Sequence, residues 1–191
     1  MKLIKTETKL NEMLKNKIFG SYGVYVSANG DTDFLHSYDV NFDTYFDIAS
    51  MGKVLVTSTL ILKAVSENRL SLNSTLKDFF DGIADGQKQN ITVAQLLSHT
   101  SGILRYEIPQ EIADMGGGAV AKFIIDTPLA FAPSTNMQYS CNGMLLLGYI
   151  LEKLHRQPLE KIFDEQIKMP LGYTRSKFNI ACGEPNAVAC Y

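Results

Sequence analysis

Hydrophobic positions recur with two different periods along the chain. Leu3, Leu10, Leu14 and Ile18 fall at near-helical spacing among charged residues, which predicts an amphipathic helix over 3–18. The period then drops to two. "SYGVYVS" alternates, "ANGD" follows, and "TDFLHSYDV" reads as the returning strand. Asn29-Gly30 is a strong hairpin signal, because a two-residue turn of this kind needs positive φ at both positions. After Ser50 the helical period returns. Residues 51–67 predict a long apolar helix, and "NRLSLNSTLKDFF" a leucine-punctuated connector. "NITVAQLLSHTSGI" opens with Thr92 and Gln95, a capping-box pair, and closes with Gly102 where a helix stop belongs. "GGG" at 116–118 predicts a loop. Met144, Leu147, Leu151 and Leu154 share one face of a helix over 142–155, and a shorter helix follows Pro158.

This order predicts an α+β fold with helices segregated from strands. Residues 1–45 supply a helix and a β-hairpin, residues 46–170 a mostly helical region, and residues 171–191 an irregular tail. There are no internal repeats and no low-complexity tracts. At 191 residues, the chain can bury one good-sized core, or one domain and part of a second. A net charge of −2 without basic runs argues against nucleic acid or an anionic membrane as the main partner. The start is interrupted by lysines and lacks the apolar run of a signal peptide. No stretch is long and apolar enough to predict a membrane span. The default expectation is therefore a cytoplasmic protein, or a periplasmic or extracellular one if a signal has been removed. Cys141, Cys182 and Cys190 form no CxxC pair, and His36, His99 and His155 form no HExxH. No metal or cofactor is expected. Free thiols are, with Cys182 and Cys190 pairing only in a secreted protein.

Two short stretches carry candidate chemistry. In "FDIASMGKVLVTSTLILKAV" an ammonium group stands at the mouth of an apolar helix, three residues after Ser50. Positions i and i+3 share a helical face, so Ser50 and Lys53 can touch. A first-turn lysine opposes the helix dipole, and the flanking Val54, Leu55, Leu60, Ile61 and Leu62 suggest burial. Both effects lower an amine's pKa, which would make Lys53 a base for the Ser50 hydroxyl. Read alone, the pair is equally an N-cap serine and a snorkelling lysine. In "NMQYSCNGMLLLGYILEKL", Tyr139 and Asn142 stand just ahead of a second apolar helix, again at i and i+3. A phenol can relay a proton, and a carboxamide can donate to a substrate carbonyl and hold the lysine. Alone, Asn142 also reads as a helix N-cap and Tyr139 as a packed aromatic.

Taken together, these stretches resemble the serine β-lactamase and penicillin-binding protein family, especially its class C β-lactamase, DD-peptidase and esterase branch. "FDIASMGKVLVTSTLILKAVSENRLSLNSTLKDF" is similar to that family's SxxK helix and connector, and "ITVAQLLSHTSGI" to its "LLxHTSGL" segment. "YSCNGMLLLGYILEKL" resembles its YxN motif with the following helix, and "FDEQIKMPLGYTRSKF" its "PLGMxxTxF" stretch. The four segments occur in the family's order over most of residues 20–178. The resemblance implies Ser50 as the acylated nucleophile, Lys53 as acceptor of its proton, and Tyr139 as base or relay toward the leaving group. Asn142 would bind the substrate amide and position Lys53, and the Ser50 N–H would form half of an oxyanion hole. His99 would brace the helical region.

The family's third motif, K/H-T/S-G or H-x-G on a strand after YxN, has no match between Asn142 and Tyr191. The expectation is an N-terminal portion of a longer β-lactamase/transpeptidase-like protein, with a partial antiparallel sheet whose C-terminal strands are absent. A complementing C-terminal segment or self-association would supply them. The expected activity is acyl-enzyme hydrolysis of β-lactams, D-Ala-D-Ala peptides or small esters. The alternative is a non-catalytic binding or scaffold protein of the same fold.

Overall fold

The computed structural model describes residues 3–104, 106–179 and 186–188. Cys182 and Cys190 lie outside the described residues. The chain forms two compact units, Met1–Ile48 with Arg175–Tyr191, and Ala49–Thr174.

The first unit is built on a hairpin. Strands β1 (Gly23–Ala28) and β2 (Asp31–His36) pair antiparallel, with Val24 opposite Leu35 and Tyr25 opposite Phe34. Asn29 and Gly30 join them at φ 53° and 85°, the positive values that the Asn-Gly pair was expected to supply. Alternation sends Val24, Val26 and Leu35 to the more buried face, while Phe34 stacks on Phe42 across the other. Helix α1 spans Ile4–Lys15, shorter than its apolar pattern, because Lys17 takes φ 57° and ends the helical path. The Tyr22 hydroxyl donates to Asn11 Oδ1 at 2.8 Å, tying that helix to the strand entrance. The described part of the tail belongs to this unit. Tyr45 bridges Ala187 in a parallel sense, and Arg175 pairs with Asp43.

The second unit is helical. A π-helical stretch, Lys53–Ser58, runs straight into α2, Thr59–Ser66. There follow α3 (Gly86–Gln89), α4 (Val93–Leu97), α5 (Gln110–Asp114), α6 (Gly117–Asp126), α7 (Cys141–His155), α8 (Leu159–Phe163) and α9 (Met169–Leu171). A second π-helical stretch, Asp164–Lys168, links the last two. Its core is α7, where Leu146, Leu147, Ile150 and Leu151 are fully buried, packed together with Leu60, Ile61, Leu96 and Ile162 among others. The Thr92–Gln95 capping box forms as expected, with each side chain bonded to the other's backbone N–H.

Three local expectations are corrected. The stop after α4 is His99, at φ 58°, rather than Gly102. Gly102 is required for a different reason: a Cβ there would stand 2.2 Å from the Phe131 carbonyl oxygen. The glycine run at 116–118 is not all loop, since Gly116 caps α6 and the next two glycines begin it. Finally, the helix after Ser50 is not buried all round. Val56, Thr57, Leu60, Ile61 and Ala64 face inward, but Val54, Leu55 and Leu62 are exposed. One apolar face suffices to anchor a surface helix, and the remaining apolar positions are left uncovered. Among the described residues no helix is long and apolar enough to cross a membrane, and no group of acidic, histidine or cysteine side chains could hold a metal ion.

Candidate active site

The chain enters the site through a strained turn. Ala49 has φ 44°, in the left-handed region that a residue with a Cβ avoids. The turn closes on short-range bonds, Gly52 N–H to the Ala49 carbonyl and Lys53 N–H to the Ser50 carbonyl, both 3.1 Å. Ser50 is thereby held exposed at the mouth of the helix, one turn before Lys53. The π winding that begins at Lys53 is a rare form found mostly as short insertions at functional sites. It brings Thr59 Oγ1 to the Val54 carbonyl at 2.8 Å, a partner five residues back.

Tyr139 reaches the same point from a different part of the unit. The segment before α7 is laced to the chain after α4. Ala130, Ser134 and Gln138 donate their N–H groups to the carbonyls of Gly102, Thr100 and His99, at 2.9, 2.8 and 2.9 Å. Ser140 N–H donates to His99 Nδ1 at 3.3 Å, and the imidazole packs against the Tyr139 ring with centroids 4.8 Å apart. Ser140 then caps α7, its Oγ accepting from Gly143 N–H at 3.3 Å. The N-cap is thus Ser140 and not Asn142. His99 contributes through backbone, ring nitrogen and ring face together.

Three of the expected site side chains converge on one oxygen. Ser50 Oγ accepts a hydrogen bond from the Tyr139 hydroxyl at 2.8 Å and from Lys53 Nζ at 3.1 Å. The ammonium also lies 5.4 Å from the Tyr139 ring centroid. Two donors aimed at a hydroxyl oxygen are suited to stabilising the alkoxide character that develops there as its proton is lost.

The protonation state of Lys53 differs from the expectation. Hydrogen bonding with Tyr139 holds its pKa above the ordinary lysine value, and the Cys141 side chain pushes the same way. Burial pulls downward but is the weaker effect, because Lys53 is only half-buried in a site open to solvent. The resting site therefore holds an ammonium, not an amine. His99 is shifted down, first by burial and then by the Lys53 charge, which favours the neutral ring that accepts from Ser140.

Asn142 is not brought to this cluster. It is 3% exposed, and its Nδ2 donates to the Tyr106 carbonyl at 3.3 Å. The reason is helical phase. A Y-x-N motif sets its asparagine two residues after the tyrosine, and here that place is held by Cys141. One residue further along, 100° around the helix, Asn142 turns into the core. Cys141 is a free and half-buried thiol. Sequence reasoning passed over it, although the motif's own spacing pointed there.

Comparisons with known proteins place the chain in a family. The Beta-lactamase family model matches residues 7–189. A protein of Escherichia coli O157:H7, provisionally named a D-alanyl-D-alanine carboxypeptidase, is 26% identical over 183 residues, covering 90% of this chain and 42% of that relative. The chain therefore spans less than half the length of such relatives. A class C β-lactamase solved in complex with cefoxitin superposes with a TM-score of 0.82 at 19% identity, over 96% of this chain and 54% of that one. The octameric penicillin-binding protein homologue from Pyrococcus abyssi gives 0.76 at 24% identity, over 93% and 45%. With a family model spanning nearly the whole chain, and with SxxK and the tyrosine of YxN meeting at one oxygen, the chain belongs to the β-lactamase family.

Proposed function

We propose that this chain carries the nucleophilic centre of an acyl-transfer serine hydrolase. The observation that carries the reading is the convergence of Tyr139 and Lys53 on Ser50 Oγ. In the proposed step, Ser50 Oγ bonds to the acyl carbon and its proton leaves for the Lys53 amine, populated as the minor neutral form, directly or through Tyr139. As the bond between the acyl carbon and the departing group breaks, Tyr139 delivers a proton to that group and regains one from the Lys53 ammonium, and water later hydrolyses the ester on Ser50. The Ser50 N–H, at the mouth of the helix, is offered as one oxyanion donor. Substrates of this reaction are β-lactams, D-Ala-D-Ala peptides or small esters, the first two in keeping with the names of the relatives. The chain is further proposed to act with a second copy or a complementing segment rather than alone.

A fluorophosphonate or β-lactam probe tests the reading. Its mass should appear on the peptide containing Ser50, and Ser50→Ala should abolish it. The alternative is a non-catalytic binding protein of the same fold, favoured by the charged state of Lys53 and the inward turn of Asn142. No adduct under any condition, or an adduct at Ser98 or Ser101, would establish that alternative and sink the hydrolase.

A further inference from the structure

One residue brackets Tyr139. Gln138 N–H donates to the His99 carbonyl at 2.9 Å, and Ser140 N–H donates to His99 Nδ1 at 3.3 Å. The positions on either side of Tyr139 are therefore both bonded to His99. Between them, the imidazole packs against the Tyr139 ring, with centroids 4.8 Å apart and planes inclined at 51°. At its far end, the same phenol donates to Ser50 Oγ. His99 itself sits at φ 58°, a left-handed value at which histidine and asparagine are among the better-tolerated side chains. The groups facing the imidazole are Tyr139, from the segment before α7, and Lys53, whose charge reaches it from the helix after Ser50.

We infer that His99 is a positioning residue for acyl transfer: its carbonyl, its Nδ1 and its ring face together aim the Tyr139 hydroxyl at Ser50 Oγ. The role demands a neutral ring. A nitrogen that accepts from Ser140 carries no proton, so the one proton of the ring stands on Nε2. Protonation turns Nδ1 into a donor facing the Ser140 N–H, which breaks that bond and adds a cation within reach of the Lys53 charge. The Tyr139 hydroxyl then loses its support, and Ser50 loses a donor. A histidine that only braced the helical region would change stability alone. One that aims Tyr139 changes the rate of the folded chain as well. This inference rests on the acyl-transfer reading, but the bond from Ser140 can be followed without any activity.

Fluorophosphonate labelling of Ser50 against pH reads the role, over the range in which circular dichroism shows the chain folded. Loss of the Lys53 proton alone makes the rate rise about tenfold per pH unit. Below the folded pKa of His99, which lies under the ordinary value, two protons must leave together. There the rise should steepen toward about a hundredfold per unit. His99→Asn suits the same backbone and can offer an acceptor to Ser140, but it does not titrate, so its profile should keep the single slope. His99→Phe, which keeps a ring and loses the acceptor, should be labelled several-fold more slowly than the native chain at mildly alkaline pH. One slope throughout in the native chain, or native rates in His99→Phe, overturns the positioning role and leaves the hydrolase standing. The native and His99→Asn profiles decide the point even where His99→Phe does not fold. Hydrogen exchange at the Ser140 amide is the arm that needs no activity. Its protection should fall in His99→Phe and in the native chain at acid pH, and hold in His99→Asn. No labelling of the native chain at any pH defeats the hydrolase. In that case protection that follows His99 still supports its hold on the Tyr139 segment, and protection indifferent to His99 overturns it.

Discussion

Lys53 shows how one neighbour can reverse a pKa argument. Burial and an unfavourable dipole position both favour an amine, yet a phenol at hydrogen-bonding range outweighs them in a half-exposed setting. Because the shift is upward, the amine is a minor species at neutral pH. Acylation through it should rise about tenfold per pH unit and level off only above the ordinary lysine value, about 10.4. Lys53→Arg should be nearly as damaging as Lys53→Ala, since a guanidinium does not give up its proton. Rapid labelling in the arginine variant, or a rate flat with pH, would show that Lys53 supplies only charge. His99 titrates with the opposite sign. Its lowered pKa means that the unfolded chain binds a proton more readily, so its stabilising contribution is full above the unfolded value, about 6.5, and is lost as pH falls from there through the lower folded value. Protonated Nδ1 also cannot accept from Ser140. Chemical denaturation should therefore show stability falling toward mildly acidic pH, and His99→Gln should flatten that slope. His155 is shifted in the same direction, so the comparison belongs in a His155→Gln background.

At the level of elements, the local signals that formed are those in which one turn's chemistry is self-contained. Asn29-Gly30 makes its hairpin, and Thr92 with Gln95 caps its helix. Gly102 is different, because what requires it lies 29 residues away. Its φ of 79° already strains any other residue, and a methyl group would collide with the Phe131 carbonyl. Gly102→Ala should cost about 2–4 kcal/mol in a denaturation experiment. It should also slow Ser50 labelling, because the laced segment that it joins leads to Tyr139. A cost within experimental error would mean that the segment moves aside without consequence. Ala49 is the reverse case, a left-handed residue whose strain turns the chain just before Ser50.

For the whole molecule, the question is what covers the remaining apolar surface. Met51, Val54, Leu55 and Leu62 are between 44% and 65% exposed along one helix, an uncovered stripe of a kind that usually marks an interface. Among the described residues the sheet has two strands, and a lone hairpin is marginal in water. The 191-residue chain should therefore associate, or gain stability from a complementing segment. Light scattering decides the point. A cooperatively unfolding monomer at micromolar concentration would contradict it, whereas a dimer or larger species supports it.

The order of elements, the hairpin turn, the capping box and the pairing of Ser50 with Lys53 were all legible in residue types and spacings. Each depends on contacts within a few positions along the chain, where helical and strand periods dictate what meets. Tyr139 was legible as a candidate, but its bond to Ser50 spans 89 positions and exists only because the His99 turn holds the segment in place. The same long-range packing decided which way the residues after Tyr139 turn. A helix start can be read from sequence, but its rotation about its own axis is set by what it packs against. That rotation buries Asn142 and leaves Cys141 half-buried. The charge on Lys53 was decided in the same way, since it depends on a phenol and a thiol that only the folded chain brings to it.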